Sequence, residues 1–135
     1  MRVNTLDHIN VMTFDLAGTA RFYAEVFGLV QRDPPPGLDP GMVQWMFDES
    51  GRPIVHITRP GALLGEETRG EIPRDTGTVH HLAFDCSGFA AMQARLEALG
   101  LEHRANHVSS IDLKQLFVRD PNGLLIELNF RQGNH

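Results

Sequence analysis

The chain has 135 residues, a single cysteine, 41% hydrophobic and 21% charged residues, and a formal net charge of −5. This length and composition are typical of one globular domain, and one cysteine excludes an internal disulfide and a thiolate-rich zinc site. The negative charge gives no attraction to nucleic acid or anionic membranes, no apolar run could cross a membrane, and the N-terminus lacks a secretory signal. We therefore expect a cytoplasmic protein that acts on a small molecule.

The first predicted strand, LDHINVMTF, is followed by a helix that ends at an apolar-Gly-Leu step. The helix is supported by apolar residues spaced along one face: Leu16, Ala20, Tyr23 and Phe27. Gly28 stands where helices commonly end. Three strands follow, interrupted by a loop rich in proline and glycine at residues 32–41. Residues 1–60 are thus predicted to form one module of strand, helix and three strands.

The second half of the chain repeats this order at a spacing of 71 to 73 residues. VHHLAFDC corresponds to the first strand, the turn DPNG to DESG, and LLIELN to PIVHIT. The Gly- and Pro-rich segment 61–77 is a connector, and module two covers about 78–132. The sequence therefore predicts one α+β domain over residues 1–135, built from two βαβββ modules.

Alternation along the strands sorts the candidate functional residues by face. The more apolar face of each sheet should pack against its helix, which leaves His8, His56, His81 and Glu127 on the other face. If the two sheets form one cup, these four side chains converge. Three imidazoles and one carboxylate suit a divalent transition metal ion, namely Fe, Zn, Mn, Ni or Co. The sequence therefore predicts one metal site.

The same alternation predicts residues that face the substrate. They are Asn10, Met12, Gln44, Met46, Gln115, Phe117 and Arg119. Arg119 has two interpretations, because its guanidinium either pairs with an anionic substrate group or is solvated beside the DPNG turn. Trp45 has the opposite parity and is expected in the core.

The segments LDHINV, VHHLAF and FVRDPNGLLIEL resemble the vicinal oxygen chelate superfamily, which includes glyoxalase I, fosfomycin-resistance thiol transferases, extradiol dioxygenases and bleomycin-resistance proteins. The resemblance implies two βαβββ modules that form a cup-shaped mixed β-sheet around a divalent metal, with the helices on the outer face. It also implies a homodimer. The family's usual ligands correspond to His8, His81 and Glu127. Glyoxalase I has a glutamate that helps to move the proton at the position of His56, where this chain departs from it. Imidazole can also bind metal or move protons, and Glu127 can leave the metal to act as a base, so His56 and Glu127 are the expected catalytic residues.

The leading hypothesis is a metal-dependent enzyme, a lyase, isomerase or dioxygenase, that binds its substrate through vicinal oxygens. The only tyrosine, Tyr23, lies on a helix, so the cavity strands offer no phenol to orient a catechol. One alternative is a fosfomycin-type thiol transferase, although no thiol site is visible. The other is a metal-free, drug-sequestering protein of the bleomycin-resistance type. The retained residues His8, His81 and Glu127 argue against that alternative.

Overall fold

The computed structural model describes residues 1–62, 72, 75–131 and 133. The chain divides into two compact units, Met1–Arg74 and Asp75–His135. Most of the predicted connector, 61–77, and the predicted end of module two at residue 132 lie outside the described residues. Of the helices in the described ranges, none has the length and apolar character of a membrane span.

The first unit contains one helix and one mixed sheet. Its elements are β1 (Ile9–Met12), α1 (Leu16–Phe27), β2 (Val30–Arg32), β3 (Val43–Phe47) and β4 (Pro53–Thr58). The strand order is β1-β4-β3-β2, with β1 parallel to β4 and the other pairs antiparallel. The helix lies against β2, β3 and β4. This is the predicted order of strand, helix and three strands.

Helix α1 is capped at its start by Asp15 and at its end by Gly28. The Asp15 side chain accepts a hydrogen bond from Gly18 N at the start of the helix. Gly28 adopts the left-handed conformation with φ 71° at the end, and its N–H donates to Ala24 O at 3.0 Å. The buried helix face is centred on Ala20 and Tyr23, both fully inaccessible to solvent. The hydrophobic face predicted from the apolar spacing is therefore close to the observed one.

The second unit repeats this arrangement. Its elements are β5 (Leu82–Cys86), α2 (Phe89–Ala98), β6 (His103–Val108), a 3₁₀ turn (Ser109–Ile111), β7 (Leu113–Arg119) and β8 (Leu125–Phe130). The strand order is β5-β8-β7-β6, with β5 parallel to β8. The Phe89 ring packs edge-on against Phe130, with centroids 5.4 Å apart, and this places α2 on the face that carries buried Ile126 and Leu128. The predicted α+β class with two βαβββ modules is confirmed.

The two predicted turns have the same hydrogen bonds. Gly51 N donates to Asp48 O at 3.0 Å, and Gly123 N donates to Asp120 O at 3.0 Å. In each turn the aspartate Oδ1 also accepts from the backbone N–H four residues later, at 2.9 Å. The turns join β3 to β4 and β7 to β8, the central strand pair of each sheet. The internal repeat seen in the sequence is therefore repeated in the hydrogen bonding.

Candidate functional site

In the first unit, strand pairing places several predicted residues on the face of His56. The parallel register of β1 and β4 pairs Asn10 with His56 and Met12 with Thr58. Asn10 Nδ2 donates to Thr58 Oγ1 at 2.9 Å, which shows that these side chains share a face. His8 directly precedes β1 and contacts His56, as described below. The predicted facing of Asn10 and Met12 is observed.

The predicted facing of β3 is wrong. Trp45 lies directly opposite His56, whereas Gln44 pairs with Ile57 and Met46 pairs with Val55. Ile57, Val55 and Met46 are fully buried on the opposite face, so Gln44 and Met46 do not share the face of His56 and Trp45 does. The Gln44 amide is also occupied, because it donates to Asp33 Oδ1 and Pro40 O.

This error has a physical cause. The strand VQWMF carries Val43, Trp45 and Phe47 on one face and Met46 beside Gln44 on the other, so the rule that the more apolar face meets the helix gives the wrong face here. The pairing with β4 decides which face meets the helix. The internal repeat held the missing signal, because Trp45 corresponds to Phe117, which was predicted on the face of Glu127.

His56 lies in a stack of three rings. Its ring is 3.8 Å from that of His8, with an interplanar angle of 16°, and 4.2 Å from that of Trp45, with an angle of 7°. The rings of His8 and Trp45 therefore cover opposite faces of the His56 ring, because two rings this close on the same face would overlap. His56 Nε2 is buried without a hydrogen-bond partner. A buried polar atom without a partner is rare and indicates a missing ligand or water.

Burial holds the pKa of His56 below its usual range, and the charge of His8 lowers this pKa further. The Asp7 carboxylate and a hydrogen bond to the Pro53 backbone raise the pKa of His56 and oppose these effects. The pKa of His56 is lowered overall, which favours the neutral imidazole. Neutral imidazole is the form that binds metal ions.

His8 has an acidic partner that the sequence analysis missed. His8 Nδ1 lies 2.6 Å from Asp7 Oδ2, and the hydrogen bond with His8 is the main reason that the pKa of Asp7 is lowered. A carboxylate on Nδ1 leaves Nε2 as the free nitrogen of His8. An acidic residue directly before a candidate ligand histidine was the available signal.

In the second unit, His81 and Glu127 are paired. His81 Nε2 lies 3.1 Å from Glu127 Oε2, and Glu127 Oε1 accepts a hydrogen bond from Gln115 Nε2 at 2.8 Å. Phe117 lies directly opposite Glu127, and Gln115 opposite Asn129. The predicted facing of Gln115 and Phe117 is thus observed.

Arg119 also lies on the face of Glu127, since it pairs with Leu125 across the sheet. Its Nη1 donates to Gly123 O at 2.7 Å, and its side chain is exposed. This contact favours the second interpretation of Arg119, a surface arginine that closes the DPNG turn.

Two further residues in the second unit contact the neighbours of this pair or the pair itself. His80 Nδ1 lies 2.9 Å from His81 Nδ1, and Asn106 Nδ2 donates to Gln115 Oε1 at 2.8 Å. The sequence analysis did not assign Asn106 any role, because strand β6 shows no pattern that distinguishes its polar residues. Its contact depends on the antiparallel register of β6 and β7.

Each unit therefore brings together two of the four predicted ligands, His8 with His56 and His81 with Glu127. Across the residues that the structure describes, no three His, Cys, Asp or Glu side chains meet as a cation site. The four-ligand set accordingly stays a prediction.

The model of the Glyoxalase/Bleomycin resistance protein/Dioxygenase superfamily matches residues 5–128. The chain belongs to this superfamily. The match starts just before His8 and ends just after Glu127, so it includes all four predicted ligands. The predicted family is confirmed.

Individual relatives of this superfamily cover almost the whole chain. The curated protein "Glyoxylase I 4" of Arabidopsis thaliana is 24% identical over 131 residues, which are 95% of this chain and 71% of that protein. A glyoxalase/dioxygenase from Nostoc punctiforme has a TM-score of 0.71 at 20% identity, covering 95% of this chain and 91% of that one. A fosfomycin resistance protein from Listeria monocytogenes has a TM-score of 0.66 at 18% identity, covering 94% and 91%. At these identities the solved structures establish the fold.

Proposed function

We propose that this protein is a metal-dependent enzyme of the glyoxalase/dioxygenase class that binds a small substrate through two vicinal oxygens. One divalent transition metal ion is held by His8, His56, His81 and Glu127. The observation that carries this proposal is the pairing of donors at corresponding places in the two units. Each unit contributes the residue that precedes its first strand and a residue of its last strand.

The donor chemistry fits such an ion. His56 Nε2 is buried without a partner, and a cation would satisfy it. Imidazole nitrogens with one carboxylate suit Fe, Zn, Mn, Ni or Co. The positive charge of such an ion would compensate the negative charge of the Glu127 carboxylate. Nearby groups also hold the donors, because Asp7 contacts His8 and Gln115 contacts Glu127. Such supporting hydrogen bonds orient metal ligands and raise their basicity.

A bound divalent ion would act as a Lewis acid that stabilises negative charge as it develops on the substrate oxygens. The protein's own residues would move the proton. Glu127 Oε2 is the candidate base, because Oε1 is already held by Gln115 and Oε2 faces His81. His56 is the alternative base only in an arrangement in which it is not a metal ligand, because the Nε2 lone pair can bind the ion or accept a proton but not both.

The substrate contacts in this proposal are drawn from the same sheet faces. Asn10 and Met12 flank His56, and Phe117 flanks Glu127. Gln44 and Met46 leave the set, because they lie on the opposite face of the sheet. The protein is a homodimer in this proposal, and the size of the metal-loaded protein in solution tests that.

The experiment is metal analysis of protein purified without chelator or affinity-tag metal exchange, with His81→Ala in parallel. We expect about one equivalent of a transition metal in the wild type and a loss in the variant. His107→Ala is the matched control, because His107 pairs with Asp112 at the surface. A protein that carries no metal, and binds none on titration with Fe²⁺, Mn²⁺, Ni²⁺ or Zn²⁺, would contradict the proposal and favour the metal-free, drug-sequestering alternative.

The identity of the metal would also direct the search for the reaction. Iron would favour assays for oxygen-dependent cleavage. Zinc, nickel or manganese would favour isomerase, lyase and thiol-transferase assays, in which a fosfomycin-type enzyme would consume thiol in the presence of its substrate.

A further inference from the structure

We infer that Trp45 is a positioning residue that clamps the His56 imidazole for metal binding, an inference that rests on the proposed function. Trp45 was expected in the core, but its indole lies parallel to the His56 ring at 4.2 Å. The contact follows from the sheet register, since the two residues are directly opposite each other on β3 and β4. Directly opposite side chains in an antiparallel pair lie close enough to pack against each other.

The clamp has two sides. Trp45 covers one face of the His56 ring, and His8 covers the other at 3.8 Å in the metal-free protein. With both faces covered, the ring cannot turn about its χ2 bond without losing both stacking contacts. Nε2 at the ring edge is thereby held in one direction, and it is buried without a hydrogen-bond partner. A ligand that is already ordered loses less conformational entropy when the ion binds. His8 would leave the stack when both histidines bind one ion, because two imidazoles that bind the same ion cannot stay parallel, so Trp45 is the side that remains.

The corresponding residue of the second unit shows why the first unit needs an aromatic clamp. Phe117 lies opposite Glu127, as Trp45 lies opposite His56. Glu127 is a carboxylate, and it is oriented by a hydrogen bond from Gln115. His56 has a hydrogen bond to the Pro53 backbone but none at Nε2, so stacking adds to that bond in orienting the imidazole.

Trp45 is the only tryptophan, so its fluorescence reports on this stack alone. An open-shell ion such as Co²⁺ bound to His56 would quench the indole at this distance. In the metal-free protein, the ring current of the indole should shift the His56 ring protons upfield in the ¹H NMR spectrum. Both signals are independent of enzyme activity.

The test compares Trp45→Leu, which removes the stacking surface, with Trp45→Phe, which keeps an aromatic ring. Phe22→Leu is the control for general destabilisation of the same unit, because Phe22 packs edge-on against Tyr23 and Phe27 on α1. Affinity for Zn²⁺ and Co²⁺ is measured by calorimetry on metal-free protein. Thermal melts establish that each variant is folded.

We expect Trp45→Leu to bind metal about tenfold more weakly, the usual effect of losing a group that orients a ligand. Trp45→Phe and Phe22→Leu should stay close to the wild type. If the wild type binds metal and Trp45→Leu binds it equally well, the inference is overturned and the proposed function stands. If the wild type binds no metal, both are overturned, and the upfield His56 signals then report packing alone.

Discussion

Gln115 Nε2 donates a hydrogen bond to Glu127 Oε1 at 2.8 Å and a second to Asn129 Oδ1 at 3.1 Å. Gln115 is nearly buried, so this amide sets the orientation of the Glu127 carboxylate. We predict that Gln115→Leu weakens the binding of Zn²⁺ about tenfold, because Glu127 loses the group that orients it. Calorimetric titration of metal-free protein measures this.

The control for Gln115 is Asn106→Ala. Asn106 contacts Gln115 Oε1 rather than Glu127, and it is exposed, so water can replace its amide. We expect nearly unchanged metal affinity for this variant. Equal losses in both variants would show that the strand pairing, rather than the Glu127 contact, controls the affinity.

We predict that the contacts of Asp48 in the DESG turn make the thermal stability of the protein depend on pH. Hydrogen bonds from the Arg52 backbone and the Ser50 hydroxyl hold the pKa of Asp48 below its usual value. A lowered folded-state pKa contributes stability that is fully present above the unfolded pKa and is lost as the pH falls through the folded pKa. Asp48→Ala should therefore lower Tm at pH 7, and the gap to the wild type should narrow below about pH 4.

Differential scanning calorimetry at a series of pH values measures the difference in Tm between the wild type and Asp48→Ala. Glu49→Ala, at the next position of the same exposed turn, should leave Tm nearly unchanged at every pH. A gap for Asp48→Ala that stays constant down to pH 2 would mean that the charged carboxylate contributes nothing.

Cys86 is predicted to react slowly with thiol reagents. Burial, together with the smaller effect of the Asp85 charge, raises the pKa of the thiol to about 11. The thiolate is the reactive form, so a rise of two units from the usual range leaves about one hundredth of the thiolate at pH 8. We expect reaction with Ellman's reagent at least about tenfold slower in folded protein than in guanidinium. Equal rates would show that the thiol is accessible.

Gly28 ends α1 with φ 71°, and a Cβ built there would meet no atom within 4 Å. The cost of Gly28→Ala is therefore conformational, about 1 kcal/mol in the free energy of unfolding. Gly28→Asn should cost less, because asparagine tolerates the left-handed region better. Urea unfolding of both variants measures the difference, and an equal cost for both would point to a steric cause.

The sequence alone determined the elements and their repetition. Apolar spacing located α1, glycine marked its end, and the internal repeat located α2. The turns at Asp48 and Asp120 marked the central strand pairs. These features are local, because a helix face, a cap and a tight turn depend on residues only a few positions apart. Alternation also placed Glu127 on the face of β8 that does not carry Ile126, since only one face of β8 is strongly apolar.

Only the tertiary structure decided which face of β3 meets the helix. VQWMF offers large apolar side chains to both faces, so alternation predicted Trp45 in the core and Gln44 on the site face. Pairing with β4 reversed this and stacked Trp45 on His56. The physical reason is that a strand with two apolar faces is oriented by its neighbours across the sheet, through contacts between residues distant in the chain. Gln115 likewise acquired its contact with Glu127 through the pairing of β7 with β8, whereas Asp7 contacts its neighbour in the chain, His8.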